Sequence, residues 1–122
     1  MRDSQLVAIV DDDRSVQRAL KDLMESAGLS AQSFASGEEF LESDQRSETG
    51  CLVADIRMPG MSGLELQANL MAQGSHIPII FITARGDANV KMQALKAGAV
   101  DFLAKPFDDE VLLERVRAAL KR

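Results

Sequence analysis

Short apolar runs alternate with longer amphipathic stretches along the whole chain. Leu6–Val10 (LVAIV) is the first run and stops at Asp11, Asp12 and Asp13. Cys51–Asp55 (CLVAD) and Pro78–Thr83 (PIIFIT) have the same form, with turn residues close by. Continuous apolar runs of this length suit strands buried on both faces. Leu29–Phe34 alternates more weakly and reads as a strand nearer a sheet edge; Ala99–Ala104 is a short fifth strand.

The stretches between them carry helical spacing. In Arg14–Ala27, residues Val16, Ala19, Leu20, Leu23, Met24 and Ala27 recur on one helix face, with Asp13 as N-cap and Gly28 as stop. Ser36 opens S-G-E-E, a capping box with Glu39 at the third position, ahead of Phe40 and Leu41. Ser43–Gly50 is polar and reads as a loop. Ser62-Gly63-Leu64-Glu65 is a second capping box, opening a helix over Gly63–Gln73 that Gly74 stops. Its expected buried side is Leu64, Ala68 and Met71, with Leu66 and Leu70. Ala88–Ala97 places Val90, Ala94 and Ala97 together ahead of Gly98. The last helix follows Phe107, with Asp108 or Asp109 near its cap and Leu112, Val116, Ala119 and Leu120 as its stripe. Acids fill its first turn, and Lys121 and Arg122 end it, which complements the helix dipole. Strand and helix alternate five times. That pattern implies right-handed crossovers and an α/β domain, a doubly wound five-stranded parallel sheet, spanning residues 1–122.

Composition narrows the setting. The chain has 122 residues, 46% hydrophobic and 27% charged, enough for a folded core. It holds no apolar stretch of the roughly 18 residues that span a bilayer. Its first five residues lack a secretion-signal layout. A single cysteine, Cys51, forms no internal disulfide, and the expected compartment is the reducing cytoplasm. A net charge of −5 and the absence of Trp and Tyr argue against direct nucleic-acid contact by this segment.

In such a sheet the carboxyl ends of all strands lie along one edge, where ligands bind at the reversal of strand order. The first strand delivers Asp11 and Asp12 there, the third Asp55, the fourth Thr83, and the loop after the fifth Lys105, followed by Pro106. With the order 2-1-3-4-5, strands one and three are neighbours and the three carboxylates converge. Clustered carboxylates raise one another's pKa unless a cation intervenes. A hard divalent ion such as Mg²⁺ suits such oxygen donors. An acidic nucleophile, Mg²⁺, an ammonium and a hydroxyl in one pocket suit phosphoryl transfer. Taken singly, these residues have plainer readings. Asp11–Asp13 could simply cap a helix, Lys105–Pro106 could be a turn, and Thr83 could merely end a strand. His76 reads as a solvated loop residue rather than a phosphodonor. Cys51 reads as an inert strand residue, and Met58 and Met61 as packing side chains.

The stretches IVDDD (Ile9–Asp13), DIRMPGMSG (Asp55–Gly63), IPIIFITA (Ile77–Ala84) and KAGAVDFLAKPF (Lys96–Phe107), in this order, resemble the receiver domain of two-component response regulators (the CheY-like superfamily), in particular the FixJ type. The resemblance covers essentially the whole chain. It implies a flavodoxin-like (βα)5 fold with strand order 2-1-3-4-5. It implies that Asp55 accepts a phosphoryl group from a sensor histidine kinase. Asp11, Asp12, Asp55 and the backbone carbonyl of Arg57 would hold Mg²⁺, with Mn²⁺ as a substitute. Lys105 would pair with the phosphoryl group, aimed by a cis bond before Pro106. Thr83 would bond a phosphoryl oxygen and Phe102 would swing inward behind it, altering the surface of helix four, strand five and helix five. Ala84 would leave room for the phosphoryl group. Phe102 stands where many relatives carry Tyr. Arg57 and Arg85 occupy positions that tune phosphate lifetime in the family.

The resemblance further implies a signalling switch that catalyses its own phosphorylation and dephosphorylation rather than an enzyme, with an activation-linked homodimer as a possible state. FixJ-type receivers usually precede a DNA-binding effector, so the expectation is the receiver half of a transcriptional regulator. The alternative is a stand-alone receiver acting by protein–protein interaction. Three other classes fit less well. A haloacid-dehalogenase-like phosphatase wants an acid two residues after the nucleophile, where this chain has Arg57. A flavodoxin relative needs a phosphate-binding loop after strand one, where three acids stand. A degenerate receiver used only for docking does not require the full set of active residues.

Overall fold

The computed structural model describes residues 5–83 and 88–121. Five strands, β1 (Leu6–Val10), β2 (Ala31–Phe34), β3 (Thr49–Asp55), β4 (Ile79–Thr83) and β5 (Asp101–Ala104), pair in parallel in the order β2-β1-β3-β4-β5. Between and after them run α1 (Arg14–Ser26), α2 (Gly37–Glu42), α3 (Gly63–Ala72), α4 (Ala88–Lys96) and α5 (Asp109–Leu120). The expected order and doubly wound flavodoxin-like architecture are both present.

The strands are apolar throughout because both sheet faces are covered. Ala8, Val10, Leu52 and Phe81 point into one layer with Phe40, Leu66, Leu70 and Phe102. Val7, Ile9, Val53 and Ile80 point into the other with Leu20, Met24, Leu112 and Val116. Each large side chain buried this way contributes about 1.5–3 kcal/mol. Helix ends follow the local chemistry. Asp13 caps α1, accepting from the Ser15 and Val16 amides, and Asp108 caps α5. Gly28, Gly74 and Gly98, the expected stops, all have positive φ.

Several details differ from expectation. Ser43–Gly50 is not a loop: Asp44–Glu48 forms a short 3-10 helix capped by Ser43, and Thr49 begins β3. Thr49 is buried because its hydroxyl donates to the Gln45 carbonyl at 3.0 Å. Gly50 is taken up where the β1–β3 register shifts between Leu6 and Val7. The Ser36 box closes on one side only. Ser36 accepts from the Glu39 amide, while the Glu39 carboxylate accepts from the Ala35 amide. The buried face of α3 is Gly63, Leu66, Gln67 and Leu70; Ala68 is exposed, and Met71 is 55% exposed. Ala19 is exposed at the margin of the α1 stripe, and Leu113 joins the α5 stripe while Leu120 is half-buried. Arg122, expected in the last turn, lies outside the described residues.

Candidate functional site

The carboxyl end of the sheet gathers the acids through strand register. Val10 pairs with Ala54, so the next residues, Asp11 and Asp55, leave adjacent strands side by side. One carboxylate oxygen from each of Asp11, Asp12 and Asp55 lies within 4.8 Å of the other two. Lys105 reaches in from the far side: its Nζ is 3.5 Å from Asp11 Oδ2 and 3.8 Å from Asp55 Oδ2. The Lys105 amide donates to the Thr83 carbonyl at 2.7 Å, and the Lys105–Pro106 peptide bond is cis, as expected. Asp55 pairs with Ile82, so the buried Thr83 stands one residue further along the neighbouring strand. All five side chains singled out in the sequence therefore leave the same rim.

The three acids are not equivalent. Asp13 caps α1, and capping accounts for it alone. Asp11 is 1% exposed. Its Oδ1 accepts from the Asp13 amide at 2.8 Å, but its Oδ2 is buried without a hydrogen-bond partner. Burial pushes the Asp11 carboxyl above the usual range; the Asp13 amide and Lys105 pull it back, and Asp55 and Asp12 push it further up. Asp12 is exposed. Asp55 is buried and its Oδ1 accepts from the Arg57 amide at 3.3 Å. Among the described residues, Asp11 and Asp55 share the ammonium of Lys105, Asp12 stands beside them, and the buried Asp11 Oδ2 has no hydrogen bond beyond that ion pair. That donor set, all hard oxygen and in excess negative charge, fits a divalent cation of the Mg²⁺ kind.

Two supports went unread in the sequence. Gly63 brings α3 against the end of β3. Its amide donates to the Ile56 carbonyl at 2.8 Å, and a Cβ there would stand 2.4 Å from the Asp55 carbonyl oxygen and 2.9 Å from Ile56 Cα. The loop after Asp55 is thereby folded back, and the full Ser62–Glu65 capping box fixes its exit. Gln17, on the first turns of α1, donates through Nε2 to the Asp11 carbonyl at 2.8 Å. Glycine at a helix start looks like a turn residue, and a glutamine in mid-helix carries no pattern, so neither gave a signal.

The remaining candidates sit elsewhere. Phe102 is buried in the layer that holds Phe81, its partner across β4 and β5. Met58 is buried and Met61 half-buried in that same layer, as packing side chains. His76 is exposed in the connection before β4, away from the acids. Cys51 is fully buried, and burial pushes its thiol up to about 12. Ala84 and Arg85 lie outside the described residues.

Residues 7–117 match the family described as response regulator receiver domain. Among curated proteins, the chain is 50% identical over 118 residues to the response regulator protein TodT of Pseudomonas putida, covering 97% of this chain and 52% of TodT. It is 44% identical over 122 residues to the transcriptional regulatory protein FixJ of Azorhizobium caulinodans, covering 100% of this chain and 58% of FixJ. The chain thus spans about half the length of the curated relatives it matches. Among solved structures, that of FixJ-N superposes with a TM-score of 0.88 at 40% identity, covering 100% of this chain and 97% of that one. Strand order, the acid–lysine cluster and these matches converge: the chain belongs to the receiver-domain family of two-component response regulators.

Proposed function

We propose that Asp55 accepts a phosphoryl group from the phosphohistidine of a sensor kinase. The observation that carries this reading is the convergence of Asp11, Asp12, Asp55 and Lys105 on one pocket. An Asp55 carboxylate oxygen attacks phosphorus, a P–O bond forms, and the P–N bond to histidine breaks. The departing imidazole keeps the electron pair and takes a proton. Asp11, Asp12, Asp55 and the Arg57 main-chain carbonyl would hold Mg²⁺, which neutralises charge on the transferring group and on the acids. The Arg57 amide orients Asp55 by holding Oδ1. Lys105 supplies a compact positive charge to the incoming phosphoryl oxygens. The Thr83 hydroxyl donates to one of them, and its movement is passed to Phe102 and to the face of α4, β5 and α5. The chain catalyses its own phosphorylation and hydrolysis and turns over no separate substrate.

For the whole protein we favour control of a DNA-binding effector. The relatives that support this include one named as a transcriptional regulatory protein, of which the chain covers 58%. The test is incubation with acetyl phosphate and Mg²⁺. One acid-stable, base-labile phosphate per chain is expected, and Asp55→Asn abolishes it. Undiminished labelling of that variant rejects the assignment.

A further inference from the structure

A polar contact buried in the core lies outside the site. Gln67 on α3 is 3% exposed, and its Nε2 donates to the main-chain carbonyl of Ala94 on α4 at 3.1 Å. That carbonyl belongs to the closing turn of α4. The Ala99 amide donates to it at 3.0 Å, the Gly98 amide donates to the Leu95 carbonyl at 3.0 Å, and Gly98 has φ +107°. This pair of bonds is a Schellman closure, which already satisfies the helix end. Ala94 therefore does not need Gln67. Gln67 needs Ala94, because an amide buried without a partner is costly. A glutamine on an otherwise apolar helix face specifies where its partner helix sits.

The burial of α4 points the same way. Among its described residues only Ala94 is fully buried, against four residues in α5 and four in α3. Val90 is half-buried, and Ala88 and Asn89 in the first turn are exposed. Among the described residues, Val90 packs half-buried against the core, and the fully buried contact of α4 is in its last turn, where Ala94 packs and Gln67 bonds.

We infer that Gln67 is a positioning residue. It pins the C-terminal turn of α4 to α3, so that α4 pivots on this turn when Asp55 is phosphorylated. The pivot rests on the switching reading above; the pin does not.

Gln67→Met keeps the length and packing of the side chain and removes the donor, while Ala94 keeps Ala99. Gln67→Asn keeps the amide but shortens its reach and is the second variant. Amide hydrogen exchange on the full chain is expected to speed up about five- to tenfold at Gly98 and Ala99 in either variant. Amides of β3 and α5 are expected to stay within about twofold. Unchanged exchange at Gly98 and Ala99, or equal acceleration throughout the molecule, overturns the pin. Beryllofluoride with Mg²⁺ then tests the pivot through amide chemical shifts. In the parent chain, shifts are expected at residues 88–91 and not at 97–99; in Gln67→Met they extend through 97–99. A parent chain whose last turn responds as strongly as its first overturns the pivot. Acetyl phosphate labelling of Asp55 is read separately: its absence defeats the phosphorylation reading, and the exchange comparison still decides the pin.

Discussion

Among the described residues, the two rims of the sheet carry opposite charge, and one of them has charge to spare. At the amino rim a cleft of about 1350 Å³ is lined by Arg46, His76, Arg117 and Lys121, with no carboxylate among its described lining residues. Its cations have local tasks. Arg117 and Lys121 sit at the C-terminal end of α5, where positive charge complements the helix dipole. Arg46 donates to the side chain of Gln73, the C-cap of α3. At the carboxyl rim the same reasoning covers Asp13 as a cap and one oxygen of Asp11. It leaves Asp11 Oδ2 and Asp55 paired with Lys105 and Asp12 beside them, with no structural need for all three among the described residues. A cleft of that size is therefore not by itself the better site; unspent charge is the better guide.

The same substitution at the two rims gives the largest contrast. Gly63→Ala puts a Cβ against the backbone of Asp55 and Ile56, which cannot yield as a side chain tip can. A loss of about 3 kcal/mol or more is expected in urea unfolding. Gly74→Ala, at the amino rim, meets open space and suffers only its φ of +76°. It is expected to cost about 1–2 kcal/mol. Equal losses would mean that close approach does not hold the site loop.

Metal linkage comes next. A cation bound by the folded pocket and not by the unfolded chain stabilises by about 2.7 kcal/mol at about a hundredfold excess over its dissociation constant. Mg²⁺ is expected to raise the melting temperature and a chelator to reverse it. Asp11→Asn should lose this response, whereas Arg46→Gln at the amino rim should keep it in full. A response surviving in Asp11→Asn would move the cation elsewhere.

Most of this site was legible because its parts sit where short apolar runs stop. Asp55 and Thr83 end strands and Asp11 follows one directly, and parallel topology sends all such ends to one rim. Helix faces were less legible. Met71 looks like a core residue by composition, yet it lies off the arc of Gly63, Leu66, Gln67 and Leu70 and is exposed. Gln67 looks like a surface residue, and its burial depends on a carbonyl 27 residues away that no local pattern announces. Thr49 and Gly50 are polar or small, and they join β3 only because β1 offers a partner across a register shift. Gln17 and Gly63 act on backbone atoms of the site, so their roles follow from tertiary closeness rather than from spacing.

Two smaller effects separate capping charge from spare charge. Asp13→Ala removes acceptors for the Ser15 and Val16 amides. It is expected to cost about 1 kcal/mol in urea unfolding. The Asp13 amide that supports Asp11 is main chain and survives the change, so Mg²⁺-dependent labelling of Asp55 should persist. Loss of labelling in this variant would make Asp13 part of the cation site rather than a cap.

Arg117→Gln is the smallest change and the sharpest control. Its guanidinium stands in the last turn of α5, exposed to solvent, so only its dipole interaction is at stake. That contribution is about 0.3–1 kcal/mol at low ionic strength and is screened by salt. The variant should unfold slightly earlier than the parent chain in dilute buffer and coincide with it at about 1 M salt, where charges are screened within about 3 Å. A deficit that persists in high salt would show that Arg117 holds something by contact, and the amino rim would then have charge to spare as well.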